Sequence, residues 1–131
     1  MSQERKLTNI RRALAALQHS LAAPIEDDRD LAGIIKGFEI VYELCWTMLK
    51  GRLEQLGIPT QGPRDAVRKA WQNGLLPNDA SIEDLWIEMI RDRNLTVHTY
   101  DEGFAREMVE RIRSSYTPAF ESLVESLSIT P

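Results

Sequence analysis

The sequence predicts an all-α protein, an antiparallel up-and-down four-helix bundle with one additional short helix. Three observations lead there. Apolar residues recur at steps of three and four from Leu7 to Leu127. No stretch alternates apolar and polar residues as a half-buried strand would. Glycines and prolines divide the chain into segments of helical length, with no internal repeat. The 131 residues are expected to form one domain over positions 1–131, a length that buries about two-thirds of the surface exposed by the unfolded chain.

The first helix is placed at roughly residues 3–22, where Leu7, Ile10, Leu14, Leu17 and Leu21 form a heptad-like stripe. Pro24 breaks it, and the acids Glu26, Asp27 and Asp28 suit the N-terminus of a following helix. That helix, roughly 28–56, carries Ile34, Phe38, Val41, Cys45, Met48 or Leu49, and Leu53 inward, and Gly57 with Pro59 stops it. Pro63 opens a short third helix with Val67, Ala70 and Trp71 inward and Gly74 closing it. Ser81 and Asp84 have the spacing of a capping box, starting a helix with Ile82, Leu85, Trp86, Met89 and Ile90 that runs into Arg93 and Asn94. The last helix starts near Asp101 and carries Phe104, Met108, Ile112, Phe120, Leu123 and Leu127. Pro118 lies inside it, so a kink or break is expected near Tyr116.

Composition excludes several classes. Hydrophobic residues at 43% and charged residues at 27% are ordinary for a globular protein. Residues 1–23 mix charged and apolar residues at helical spacing, unlike a signal peptide, and no apolar run approaches the ~20 residues that span a bilayer. A single cysteine, Cys45, allows no internal disulfide, and a cytoplasmic location is the simple expectation. The net charge of −4 argues against coating nucleic acid by bulk electrostatics. The charge is uneven, though: Lys50, Arg52, Arg64, Arg68 and Lys69 are opposed only by Glu54 and Asp65, whereas Asp79, Glu83, Asp84 and Glu88 have no cation among them. An RNA contact would have to be local, or built by pairing two chains.

The chemistry concentrates at residues 91–102, Arg-Asp-Arg-Asn-Leu-Thr-Val-His-Thr-Tyr-Asp-Glu. Arg93 can clamp a phosphate through paired hydrogen bonds. His98, one of two histidines, can move a proton near neutral pH, and Tyr100 offers a modifiable hydroxyl. On one continuous helix Arg93 and His98 would lie about 140° apart, while Asn94 and His98 would share a face. Either the helix ends near Thr96, or both residues flank a groove, or a two-fold dimer brings duplicated motifs together. Ordinary readings compete with these. Arg93 could pair with Glu88 or Asp92, His98 could be a helix-end residue, and Tyr100 a core-edge phenol bonded to a carboxylate. Elsewhere His19 lies on the polar side of the first helix, Cys45 reads as packing, and Glu39 with Glu43 lacks the Glu-x-x-His spacing of a bundle metal site. No metal or cofactor is expected. Trp46, Trp71 and Trp86 suit a core or a dimer face better than a base-stacking platform.

The string Arg93-Asn94-Leu95-Thr96-Val97-His98-Thr99-Tyr100 resembles the R-x4-H-x-Y signature of the HEPN superfamily, and more narrowly its branch of nucleotidyltransferase substrate-binding proteins, or HepT toxins. Phe38-Glu39-Ile40-Val41-Tyr42-Glu43-Leu44-Cys45-Trp46 is similar to the family's second-helix motif. Gly62-Pro63-Arg64 with Gly74-Leu75-Leu76 is similar to its insert, and Trp86-Ile87-Glu88-Met89 leads into the signature in the same way. The resemblance covers about residues 30–115. Gly37 and Thr47 stand where the family usually has arginine and lysine, and Gly62 replaces a serine or threonine cap.

The resemblance implies a dimeric helical bundle whose two motifs meet in a shared cleft, and a metal-independent ribonuclease. Arg93 would hold the scissile phosphate, His98 would transfer the proton as the RNA 2′-hydroxyl attacks, and Asn94 would position one of them. It implies a minimal nucleotidyltransferase partner that acts as antitoxin by adenylylating Tyr100, which would block access to RNA. The alternative is a non-catalytic substrate-binding subunit of a two-component nucleotidyltransferase.

Overall fold

Leu7, Ile10, Leu14, Leu17 and Leu21 are all buried, as their spacing requires, along α1 (Gln3–Ala22). The computed structural model describes residues 3–129, all of whose regular structure is helical. After α1 come α2 (Asp28–Gln55), α3 (Gly62–Gln72), α4 (Ala80–Leu95), a 3₁₀ turn (Thr96–His98), α5 (Glu102–Arg111), a π turn (Ile112–Tyr116) and α6 (Thr117–Ile129). The last three follow one another without a break, so the described residues form four principal rods plus the short α3. No helix among them is long and apolar enough to cross a membrane.

The boundaries follow local chemistry. Asp27 caps α2 by accepting the N–H groups of Arg29 and Asp30 at 2.9 and 3.1 Å, while the Asp30 carboxylate accepts the Asp27 N–H at 3.2 Å. Such a reciprocal box stabilises a helix start by about 1 kcal/mol. At the other end Gly57 sits at φ 78°, and the N–H groups of Gly57 and Ile58 turn back onto the carbonyls of Glu54 and Leu53. Gly74 closes α3 in the same way. The start of α4 differs from the sequence expectation. Its cap is Asp79, whose carboxylate accepts the Ser81 N–H at 2.9 Å and the Ser81 hydroxyl at 2.8 Å. Ser81 therefore supports the cap from inside the first turn.

α2 is the spine, packing against α1, α3, α5 and α6. Gly37 lets α2 lie close against Leu17 of α1, since a Cβ there would stand 3.3 Å from the Leu17 Cδ1. Phe38 occupies the centre, stacked on Tyr116 with ring centroids 5.5 Å apart and flanked by Tyr42 and Phe120 at 6.2 and 6.0 Å. Trp86 brings α4 into this cluster, meeting Phe120 edge-on at 5.9 Å. Cys45 is wholly buried, and burial raises its thiol pKa, consistent with packing.

Pro118 has no N–H to give to the carbonyl four residues back. The chain answers with a widened turn at Ile112–Tyr116, just before the proline, and the helix continues beyond it. That turn holds a polar contact in an apolar surround. Asp92, 2% exposed, accepts the Tyr116 hydroxyl and an Arg111 guanidinium N–H, the latter at 3.1 Å. Burial first, then the hydrogen bond to Asp92, pushes the Tyr116 phenol pKa well above its ordinary value, so it stays protonated as the donor. Replacing Tyr116 with Phe should lower the unfolding free energy in urea by about 1.5–3 kcal/mol, the value of a hydrogen bond to a charged group. A loss below about 0.5 kcal/mol would show that Arg111 alone satisfies Asp92.

Candidate functional site

Arg93 extends the inward stripe of α4. Ile82, Trp86, Met89 and Arg93 follow at steps of four, three and four, so the guanidinium leaves the core at the end of this stripe, toward Glu43 of α2. Its Nε lies 3.7 Å from the Glu43 Oε1, and its Nη1 donates to the Thr96 Oγ1 at 3.4 Å. The Thr96 hydroxyl in turn donates to the Arg93 carbonyl at 2.8 Å. Glu43 is itself held, because the Trp46 indole Nε1 donates to its other oxygen at 2.9 Å. The carboxylate partner of Arg93 is thus Glu43, neither Glu88 nor Asp92; Asp92 turns the other way, into the bundle. Beside this pair Tyr42 is buried, and desolvation raises its phenol pKa, with the Glu43 charge adding to the effect.

α4 ends at Leu95, and the 3₁₀ turn over Thr96–His98 redirects the chain beyond it. The Thr99 hydroxyl donates to the Thr96 carbonyl, and the Asp101 N–H reaches the His98 carbonyl at 2.9 Å. Asp101 then caps α5 by accepting the Phe104 N–H at 3.1 Å. His98 therefore does not continue the α4 face, and the one-face relation between Asn94 and His98 does not apply. Asn94 lines an open groove of about 490 Å³ between α3 and α4, with Arg64, Asp84, Glu88 and Arg91. Arg93, one residue away and about 100° round the helix, faces α2 instead.

His98 is exposed, and its Nδ1 lies 3.2 Å from the Tyr100 hydroxyl. The rings meet edge-on at 5.8 Å, and Phe104 also meets the imidazole edge-on, at 6.3 Å. Tyr100 is 83% exposed, so it is no core-edge phenol, and its partner is an imidazole where a carboxylate was one expectation. It overhangs a groove of about 310 Å³ lined by Asp28, Arg29, Leu31, Thr99 and Glu102. Val97, 70% exposed, stands in the same turn.

The other sequence candidates are accounted for. Glu39 pairs with Lys36 at 3.9 Å. Trp86 is core, Trp71 donates to the Asp79 carbonyl at 3.1 Å, and Trp46 serves Glu43. His19 is exposed at the α1–α2 corner. Thr47, where the family resemblance called for lysine, bonds the Glu43 carbonyl at 2.7 Å. Sequence reasoning missed Glu43 as the partner of Arg93 and Trp46 as the partner of Glu43, and missed the cluster of Asp92, Arg111 and Tyr116. A carboxylate at position 92, in step with Met89 and Thr96, was the available signal for the second group.

Comparison with known proteins now places the molecule. A family model described as nucleotidyltransferase substrate binding protein like matches residues 5–129. The chain belongs to this family. A Haemophilus influenzae relative named "Probable ribonuclease HepT" is 34% identical over 107 residues, covering 78% of this chain and 66% of the relative. The chain thus spans just under two-thirds of that relative's length. A crystal structure from Thermus thermophilus superposes with a TM-score of 0.80 at 30% identity, over 90% of this chain and 98% of that one. A Haemophilus influenzae structure, described as revealing the fold of a substrate binding domain of a nucleotidyltransferase, superposes at 0.79 and 30% identity, over 93% of this chain and 98% of that one. The HEPN resemblance read from the motif therefore holds for this nucleotidyltransferase substrate binding protein-like chain.

Its three tyrosines differ sharply in access: Tyr42 and Tyr116 are 2% and 1% exposed, Tyr100 83%. Mild nitration of the folded protein should therefore add one nitro group, mapped to Tyr100 by peptide mass. Equal labelling of Tyr42 would contradict the packing around Phe38.

Proposed function

We propose that the protein is the toxin of a toxin–antitoxin pair, a metal-independent endoribonuclease silenced when a cognate minimal nucleotidyltransferase adenylylates Tyr100. The observation that carries this reading is the exposed His98–Tyr100 hydrogen bond, one short turn after an arginine held by α2. Arg93 would bind the scissile phosphate and offset charge developing on its oxygens. His98 would take or return the proton as the 2′-hydroxyl attacks the adjacent phosphorus and the 5′-oxygen leaves. The resemblance to a relative named as a ribonuclease supports the assignment. Asn94, in the α3–α4 groove, is the weaker member of the set.

A homodimer fits this reading. Val97 is exposed beside the motif, and Ile40, 45% exposed, lies on the same outward stripe of α2 as Glu43. Pairing about a two-fold axis would cover such apolar groups and double the arginines and histidines in one cleft. It would also create the local positive charge that a chain of net −4 lacks.

Adenylylation would act twice at Tyr100. It converts the phenol into a phosphodiester, which removes the phenolic proton from the contact with His98, and it places a negative charge where substrate phosphate would approach. A second reading, a non-catalytic subunit that presents substrate to a nucleotidyltransferase, is favoured by the family description and by the carboxylates of Asp28 and Glu102 around Tyr100.

Purified protein in excess chelator should cleave mixed RNA, and His98→Ala should lower the rate at least about a hundredfold, the scale of general acid–base catalysis, while remaining folded. No cleavage by folded, unmodified wild type would favour the binding-subunit reading. Incubation with the cognate nucleotidyltransferase and ATP should add AMP to the wild type and none to Tyr100→Phe; equal labelling of both would remove Tyr100 from the scheme.

A further inference from the structure

The Nε of Arg93 has essentially no accessible surface and no hydrogen-bond acceptor in reach, although the side chain as a whole is 30% exposed. An incoming phosphate therefore cannot engage that edge of the guanidinium; it must use the Nη edge. The nearest group able to satisfy Nε is the Glu43 carboxylate, 3.7 Å away and a few tenths of an ångström too far to bond. That carboxylate is not free to wander, because the Trp46 indole holds its second oxygen at 2.9 Å. On the other side Thr96 takes Nη1 loosely, at 3.4 Å, and neither contact uses Nη2.

We propose that Glu43, fixed by Trp46, is a positioning residue for Arg93: it holds the guanidinium by its buried Nε edge and turns the Nη edge toward the substrate phosphate. The inference deepens the ribonuclease reading and rests on it for its substrate. Closing the Nε–Glu43 gap into a hydrogen bond needs only a small advance of the guanidinium, which a phosphate drawing on Nη1 and Nη2 would favour. The Thr96 contact, longer than an ordinary hydrogen bond, is the one that a phosphate oxygen displaces. Because the Trp46 N–H shares the carboxylate, its indole also senses the exchange. Glu43 acts only through Arg93, since its negative charge would repel the phosphate directly.

The test is steady-state RNA cleavage by wild type, Glu43→Gln and Trp46→Phe, with thermal unfolding of each and Trp46 fluorescence during titration with a 2′-O-methyl RNA oligonucleotide, which cannot be cut. Glu43→Gln keeps the shape and removes the charge; it should lower kcat about tenfold with KM within about twofold, as expected when a transition-state contact is misaligned. Trp46→Phe should give a smaller loss of kcat in the same direction. Unfolding midpoints should stay within a few degrees of wild type. The oligonucleotide should shift wild-type emission, and Arg93→Ala or Trp46→Phe should abolish the shift. Wild-type kinetics in Glu43→Gln would overturn the proposal and leave the ribonuclease reading intact. A fall in melting temperature that accounts for the whole loss of activity would overturn it too, assigning Glu43 a structural role. If the wild type cuts no RNA, the ribonuclease reading fails, and the fluorescence decides the present one. An Arg93-dependent shift supports the Glu43–Arg93 coupling at a phosphate site, whereas no shift, or one that survives Arg93→Ala, overturns it.

Discussion

A buried carboxylate organises this molecule. Asp92 is almost wholly withdrawn from water, and a charge so placed persists only with partners that offset its lost hydration. The partners come from the far end of the chain, Arg111 at the end of α5 and Tyr116 at the end of the π turn. Residues five apart on a regular α-helix point about 140° away from each other, so a straight helix would deliver one partner and withhold the other. The widened turn at Ile112–Tyr116 removes that conflict, and Pro118 places the irregularity just there. Phe38 stacked on Tyr116 ties the same turn to α2. The rotation of α4 about its axis is thereby set by a polar contact that tolerates little slippage, and greasy side chains alone would allow more.

The direction of Arg93 is a consequence of that constraint. With Asp92 pinned inward toward α5, the next residue is turned about 100° round the helix, toward Glu43 on α2. Arg93 and Asn94 diverge for the same reason, one to the α2 side and one to the α3–α4 groove. His98 obeys different forces. The 3₁₀ turn frees it from the helical repeat, and Tyr100 and Phe104 hold it from the α5 side. The two residues are thus held by separate parts of the fold, the arginine half-buried beside Glu43 and the imidazole exposed.

Most of the fold was legible in the sequence because the apolar stripes are clean. The run of Leu7 to Leu21 and the spacing of Phe38, Val41, Cys45 and Leu53 leave little choice of buried face. Gly57, Gly74 and Pro118 announced their turns by the backbone freedom they supply or remove. The α4 start was misplaced by two residues, because Ser81 and Asp79 offer rival oxygens, and a spacing pattern cannot tell which one accepts the backbone N–H. The site was legible as a motif and illegible as a network. Arg93, His98 and Tyr100 stood out as residue types, but the pairing of Arg93 with Glu43, fifty positions earlier, depends on how α2 and α4 cross. The same limit hid Asp92, since a carboxylate in an inward position reads as an error in the pattern until its partners are found.

The gap between motif and network bears on why a binding subunit and a nuclease can share this scaffold. Either proposed role would draw on the arginine that α4 turns toward Glu43 and on the exposed polar turn beyond it. What separates them is the protonation chemistry of one turn: an imidazole whose Nδ1 is engaged by a phenol has its other nitrogen left to give or receive a proton. A subunit that merely presented substrate would call on the phenol alone, for contact or modification. The contact between His98 and Tyr100 couples the phenol to the imidazole. A change at the phenol oxygen is then felt at the imidazole directly, without any movement of the bundle. The groove beside Tyr100 carries Arg29 as well as Asp28 and Glu102, so a group approaching the phenol meets charges of both signs there.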